Sequence, residues 1–183
     1  SELEELVKTV KKLVEDHKRR LKELLERARR STEDLKRKLE KLVRDVRKLV
    51  EDAKDAIRKS GKADERLLET IKRALEELKR RARDLLRRHK EEIDRLIKDI
   101  RRSNEELHRA AERLRDELRK RVRDKDELKK VEDALRRLLE ELNEVSEEVE
   151  RALRELHREV EEAIRRVEKE LDRLLKEVED AAR

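Results

Sequence analysis

The sequence predicts an all-α protein, a single-chain, up-down-up antiparallel bundle of three helices that is long and nearly untwisted. Composition is the first observation: 58% of the 183 residues are charged and 34% are apolar, with no Pro, Phe, Trp, Tyr, Cys or Met and one Gly. Globular domains carry about 45–50% apolar and about 25% charged residues, so the composition fits long charged helices or a disordered chain. The periodicity of the apolar residues favours helices, and two interruptions of that periodicity indicate that there are three.

The first helix is predicted over residues 2–59. Ser1 followed by Glu4 is a capping-box pattern, which opens a helix. Apolar positions then recur in steps of 3, 4, 3, 4 and 4 residues, so that five turns take 18 residues. The residues that mark this repeat are Leu3, Leu21, Leu39 and Ile57. Because five turns in 18 residues is about 3.6 residues per turn, the period of a straight α-helix, we expect little supercoiling.

The first interruption of the repeat lies at residues 59–64. It contains the only glycine of the chain, Gly61, at a position suited to a left-handed helix C-cap. Asp64 suits the N-cap of the following helix, which we expect over 64–123. Because the connection is short, the two helices are expected to be antiparallel neighbours.

The second interruption, at residues 123–126, has no glycine, and one continuous helix is the alternative reading of this segment. The apolar stripe changes direction by about 110° across it, and a continuous helix would divide its own stripe. We therefore predict a tight turn with Asp124 or Asp126 as the cap and a third helix over 126–183. All three apolar stripes can then face one axis, so residues 1–183 are predicted to form a single domain.

Polar residues interrupt the apolar stripes at positions where the other repeats carry apolar ones. His17, for example, takes the position of Leu35 and Ala53. When antiparallel neighbours are aligned from the loops, these exceptions gather at two levels, and every helix contributes to both. We expect two buried polar layers, one of His17, Ser103, Asn104 and Ser146, with His108 and Asn143 at its rim, and one of Ser31, Thr32, His89 and His157. Because an unpaired buried polar group costs about 1–3 kcal/mol, such layers penalise a wrong helix register.

The 18-residue repeat, the aromatic-free core and the paired layers around His17 and His89 resemble those of parametrically designed straight three-helix bundles with buried hydrogen-bond networks. The resemblance covers the whole chain. It implies a de novo structural scaffold without natural activity, whose polar layers specify helix register. Two other roles stay open: a pH-responsive bundle destabilised by histidine protonation, and a component of a designed helical assembly. A natural spectrin-like or lipid-carrying bundle is a further alternative, and the strict repeat and missing aromatics argue against it.

We expect no catalytic site, no metal and no cofactor. The pairs that lie close enough to share a metal ion are His17 with His108 and His89 with His157, and a structural zinc ion takes four ligands. The core stripes carry no carboxylate or thiolate that would complete such a site. Ser31 beside a histidine would resemble a nucleophile and its base, but an orienting carboxylate and an oxyanion hole are not expected.

We also expect no partner molecule, neither nucleic acid nor membrane. The net charge of +6 comes from 56 basic and 50 acidic residues that alternate along every segment, which is typical of solvated helix surfaces. No apolar run approaches the about 20 residues of a membrane span. The stripes, about 100–140° wide, suit a closed three-helix core and favour a monomer. A homo-oligomer and either helix order around the axis stay open.

Overall fold

The computed structural model describes residues 2–61 and 64–183, which form three α-helices and no strand. Helix α1 spans Glu2–Ser60, α2 spans Glu65–Arg121 and α3 spans Lys125–Ala181. The fold is the all-α three-helix bundle that the sequence predicts. Within the described ranges, no helix has an apolar stretch long enough to cross a membrane.

The connection between α1 and α2 has the caps that its sequence indicates. Gly61 has a φ of 68°, in the left-handed region, and its N–H donates to the carbonyl of Ile57 at 3.1 Å. This bond satisfies one of the last carbonyls of α1. At the start of α2, the Asp64 carboxylate accepts the backbone N–H of Arg66 at 3.0 Å. The two residues between Gly61 and Asp64 lie outside the described residues.

The connection between α2 and α3 is a tight turn, so the alternative of one continuous helix is wrong. The turn leaves 122–124 outside both helices. Of the two candidate caps, Asp124 is the one used, because its carboxylate accepts the backbone N–H of Asp126 at 3.0 Å and of Glu127 at 3.5 Å. The capping box expected at Ser1 lies outside the described residues.

Ion pairs between helices recur with the period of the apolar positions. Three lysines of α1, one in each repeat, contact a glutamate 123 residues further along the chain: Lys18 with Glu141, Lys36 with Glu159, and Lys54 with Glu177. Three arginines of α2, also one in each repeat, contact glutamates of α3 in the opposite order: Arg83 with Glu168, Arg101 with Glu150, and Arg119 with Glu132. Helices α1 and α3 therefore run parallel, and α2 is antiparallel to α3. The same pair of positions meets once in every 18 residues, as the repeat predicts.

The chain divides into two compact units, each made from segments of all three helices. The first unit contains Ser1–Ala28 and Ile93–Glu155, and the second contains Arg29–Glu92 and Leu156–Arg183. Their cores consist of Leu, Val, Ile and Ala side chains. This division does not test the prediction of one domain, which stays a prediction.

The apolar stripe of α1 is narrower than the sequence predicts. Leu13, Ser31 and Leu49, one repeat apart, are exposed, the two leucines by 56% and 67%. The buried residues are their neighbours Val14, Thr32 and Val50. Consecutive side chains of an α-helix point about 100° apart, so a residue that faces the core directs the preceding one away from it. The prediction that Ser31 is buried is wrong for this reason.

Candidate functional site

The second unit contains a buried, hydrogen-bonded network of three side chains, one from each helix. Thr32 Oγ1 on α1 lies 3.1 Å from His89 Nε2 on α2. His89 Nδ1 in turn lies 3.1 Å from His157 Nδ1 on α3. Thr32 is 0% exposed and His89 is 6% exposed, so water does not replace these partners. We refer to these residues as the Thr32–His89–His157 network.

A fourth residue, Glu161, connects this network to the surface. His157 Nε2 lies 2.9 Å from Glu161 Oε1, and the two side chains are 15% and 37% exposed. Arg165 lies 3.7 Å from the other carboxylate oxygen of Glu161. Glu161 lies at the rim of α3, outside the core stripes on which we expected no carboxylate, and the sequence analysis did not include it in a polar layer. The signal in the sequence is its i,i+4 spacing from His157, which places both side chains on one helix face.

The network has a defined proton order when both histidines are neutral. A carboxylate only accepts hydrogen bonds, so His157 donates its Nε2–H to Glu161 and keeps an unprotonated Nδ1. His89 must then donate its Nδ1–H to His157. The Nε2 of His89 is left as an acceptor, and the hydroxyl of Thr32 donates to it. Each of these buried groups therefore has a partner of the opposite kind.

The two facing Nδ1 atoms of the network cannot both carry a proton. A proton on His157 Nδ1 is donated to His89, whose own proton then lies on Nε2 and is donated to the oxygen of Thr32. A further proton on His89 would place two N–H groups against each other across 3.1 Å. Consistent with this, burial and secondly the charge of His157 lower the pKa of His89 to about 4.

The first unit has two separate histidine–asparagine pairs instead of a connected layer. His17 Nε2 lies 3.3 Å from Asn104 Oδ1, and His108 Nε2 lies 2.9 Å from Asn143 Oδ1. All four residues are half-buried. Each amide oxygen accepts, so both histidines donate from Nε2. The structure thus brings each of these histidines to a predicted asparagine but does not join the pairs through a shared hydrogen bond within the described residues.

The serines assigned to the polar layers take no part in these hydrogen bonds. Ser146 is buried, but its hydroxyl donates to the carbonyl of Leu142 on its own helix at 2.8 Å. Ser103 is half-buried, and no hydrogen bond of its side chain is found in the part of the chain that the structure describes. A serine within a helix can reach the carbonyl four residues before it, so it needs no partner from a neighbouring helix.

The four side chains from Thr32 to Glu161 can hold protons and can offer ring nitrogens as ligands. Across residues 2–61 and 64–183, no group of three or more His, Cys, Asp and Glu side chains is arranged to hold a metal ion. Ser31 lies in a groove beside His89, but its side chain is exposed to solvent. Ser31 therefore does not form the hydrogen-bonded Ser–His–carboxylate arrangement of a hydrolase with His89.

Comparison with known proteins gives no relative for this chain. No protein-family model, no curated protein and no solved structure matches it. Inferences about function therefore rest on the regularity of the sequence and on the geometry of the Thr32–His89–His157 network.

Proposed function

We propose that the chain is a de novo designed structural scaffold without enzymatic activity, in which the Thr32–His89–His157 network specifies helix register. The observation that carries the proposal is the meeting of one polar side chain from each helix at one level. Sliding one helix past the others would remove its member from the network. Each buried polar group left without a partner would then cost about 1–3 kcal/mol.

The 18-residue repeat explains why such a network is useful. A helix displaced by one whole repeat presents nearly the same apolar pattern over the length that still overlaps its neighbours, so within that overlap the apolar residues do not distinguish the two registers. The residues at the equivalent positions of other repeats are apolar: Val14 and Val50 for Thr32, Ile71 and Leu107 for His89, and Leu139 and Leu175 for His157. Because the network occurs once, it distinguishes the native register from the displaced one.

The regular spacing of ion pairs and the composition of the core support a designed origin independently of the network. The same lysine–glutamate contact recurs three times between α1 and α3 at a constant separation of 123 residues. The core lacks aromatic residues, Met and Cys and uses aliphatic side chains with well-defined rotamers. No relative matches the chain, which is consistent with a sequence built from rules.

The test of register specification replaces the network with the residues of the other repeats, in the variant Thr32→Val/His89→Leu/His157→Leu. We expect this variant to stay helical and to be at least as stable, because both sides of each hydrogen bond become apolar. We also expect it to lose its single register. Spin labels on Glu40→Cys and Arg81→Cys, two exposed positions of α1 and α2, report register as a distance.

In the parent chain the labels should give one narrow distance distribution, and in the triple variant a broad or divided one. The matched control is Ser31→Leu, which adds an apolar residue beside the network without removing a member of it, and it should leave the distribution narrow. A triple variant with the same narrow distribution as the parent would show that the network does not specify register.

A pH-responsive bundle is the second candidate function, and His89 favours it. Its burial lowers its pKa to about 4, so protonation opposes the folded state. The bundle acts as a switch only where the stability lost on protonation of His89 is large enough to separate the helices within a narrow pH range. Far-ultraviolet circular dichroism between neutral pH and about pH 4 distinguishes the two roles, since a switch loses helix cooperatively in that range and a scaffold keeps it.

We further propose that the scaffold is a monomer with no nucleic-acid or membrane partner. Leu13 and Leu49, the large apolar residues most exposed in the described ranges, are two repeats apart on α1, and single exposed apolar residues are normal on protein surfaces. Sedimentation equilibrium over a wide range of protein concentrations should give the mass of one chain. A concentration-dependent dimer would favour the assembly role instead.

A further inference from the structure

We propose that the facing ring nitrogens of His89 and His157 form a two-ligand site for a monovalent d10 metal ion, the class of Cu(I) and Ag(I). The two Nδ1 atoms lie 3.1 Å apart, the ring planes differ by 12° and the ring centroids lie 5.4 Å apart. The rings thus direct a pair of nitrogen atoms at one point between α2 and α3. This inference does not depend on the scaffold function.

The number of ligands selects the class of ion. A structural zinc ion takes four ligands, and the described residues hold no group of three or more His, Cys, Asp and Glu side chains arranged around a metal. Monovalent d10 ions are stable with two ligands in a linear arrangement, and imidazole is a common ligand of copper. Two metal–nitrogen bonds of about 2 Å need the Nδ1 atoms about 4 Å apart, so the present 3.1 Å must widen by about 1 Å.

The protons of the network can be arranged so that both Nδ1 atoms are free to bind the ion, and no proton has to leave the network. His157 already keeps its proton on Nε2, where Glu161 accepts it, and its Nδ1 electron pair is available. On His89 the proton moves from Nδ1 to Nε2 and is donated to Thr32, whose hydroxyl turns to accept it. Each ring then gives one electron pair to the ion, and nothing is oxidised or reduced.

The other bonds of the two rings are those of a metal-binding histidine. Such a histidine usually donates its remaining N–H to a carboxylate, a carbonyl or another acceptor, which fixes its tautomer and strengthens it as a ligand. Glu161 has this role for His157 at 2.9 Å, and Thr32 has it for His89 at 3.1 Å. Glu161 also supplies one negative charge against the positive charge of the ion.

With Glu161 included, the charged groups around the site are balanced in sign. The charged groups beside the network are Asp34 and Lys38 on α1, Arg88 and Glu92 on α2, and Glu161 and Arg165 on α3. Three are acidic and three are basic, so the ion meets no excess of either sign. A groove that Asp34, Arg88 and Glu92 line reaches the His89 side chain from the surface.

The rest of the chain offers such an ion little competition. The sequence contains no Cys and no Met, and it has four His. The two histidines outside the network each contact an asparagine oxygen, His17 at 3.3 Å and His108 at 2.9 Å, rather than a second imidazole. We therefore expect one strong site per chain.

The experiment is a calorimetric titration with silver nitrate at neutral pH in chloride-free buffer. The parent chain and the control variant His17→Gln/His108→Gln, which keeps the proposed ligands, should each bind one equivalent of Ag⁺ tightly. His157→Gln should bind at least about a hundredfold more weakly, and Thr32→Val, which removes the acceptor of His89, about tenfold more weakly. Zinc titrated into the parent should show no comparable site.

Nitrogen-15 NMR of the histidine rings identifies the ligands in the parent chain itself, so the test does not depend on the folding of a variant. One equivalent of Ag⁺ should shift the Nδ1 resonances of His89 and His157 together and split each of them by coupling to the silver nucleus. The proposal is overturned where these two resonances do not change, where those of His17 and His108 change instead, or where folded His157→Gln binds Ag⁺ as tightly as the parent.

Discussion

The two units use the same residue type in different ways. In the second unit, His89 is buried and joins α1 and α3 through two hydrogen bonds at 3.1 Å. In the first unit, His17 and His108 are half-buried, and each contacts one asparagine. A half-buried imidazole can complete its hydrogen bonds with water, whereas a buried one depends on protein partners. The difference teaches that burial, not residue type, decides how strongly a polar core residue constrains the fold.

The largest expected effect comes from removing the centre of the network with His89→Ala. The change leaves a cavity where a buried ring was, and it removes the partners of Thr32 and His157. We expect the free energy of unfolding to fall by about 3–5 kcal/mol, measured by chemical denaturation. The matched variant His108→Ala, in a half-buried pair, should cost no more than about 1 kcal/mol. Equal losses in the two variants would contradict the contrast between the units.

A somewhat smaller effect is expected from acid. The pKa of His89 is lowered from 6.5 to about 4, so the unfolded chain binds a proton first as the pH falls. The stability that neutral His89 provides is therefore complete above about pH 6.5, and it is lost between about pH 6.5 and about pH 4. The shift corresponds to about 3 kcal/mol, measured as the change in the free energy of unfolding.

The control for the acid effect is the variant Thr32→Val/His89→Leu/His157→Leu. Acidic residues also lose stabilising contacts at low pH. Arg173, and to a lesser extent Arg47, lowers the pKa of Glu170 to about 2, although burial acts in the opposite direction. The contribution of Glu170 to stability is therefore lost as the pH falls below about 4.5. Parent and variant share that loss. The difference between them isolates the network, and parallel pH profiles would exclude a contribution from His89.

Particular residues show how far the sequence alone reaches. Helix ends were predictable because Gly61 and Asp124 act through local backbone geometry. The meeting of Thr32, His89 and His157 was predictable because helical rise and antiparallel pairing fix which residues share a level. Periodicity gives the direction of a side chain but not the position of the neighbouring helix. For that reason it did not separate exposed Ser31 from buried Thr32.

Choice of hydrogen-bond partner was the least predictable feature. Ser146 is buried as expected, yet it bonds to Leu142 on its own helix. Glu161 lies at the stripe's rim, yet it completes the network. Both outcomes depend on side-chain rotation within one helical turn. A pattern of apolar and polar residues contains no information about that rotation. The i,i+4 spacing of His157 and Glu161, by contrast, indicates that the two side chains can meet.

A small effect is expected when a half-buried pair is replaced as a whole, in His17→Leu/Asn104→Leu. Leucine occupies both positions in another repeat, as Leu35 and Leu86. Removing both partners of a hydrogen bond leaves neither unpaired, so the free energy of unfolding should change by less than about 1 kcal/mol. The single variant His17→Leu, which leaves Asn104 without its partner, should be the less stable of the two. A double variant that loses several times that amount would place this pair in the same class as the network.

The smallest effect is expected at the position where the stripe of α1 is narrower than its sequence indicates. Leu13→Ser gives the first repeat the residue that the second repeat carries at Ser31, and both positions are exposed. Because Leu13 contributes little burial, the free energy of unfolding should change by no more than about 0.5 kcal/mol. Val14→Ser, one residue further on, removes a buried side chain and places a hydroxyl in the core, so it should cost about 2–3 kcal/mol. Chemical denaturation of the two variants locates the edge of the buried stripe. Equal losses in the free energy of unfolding would mean that the core extends around α1 to include Leu13.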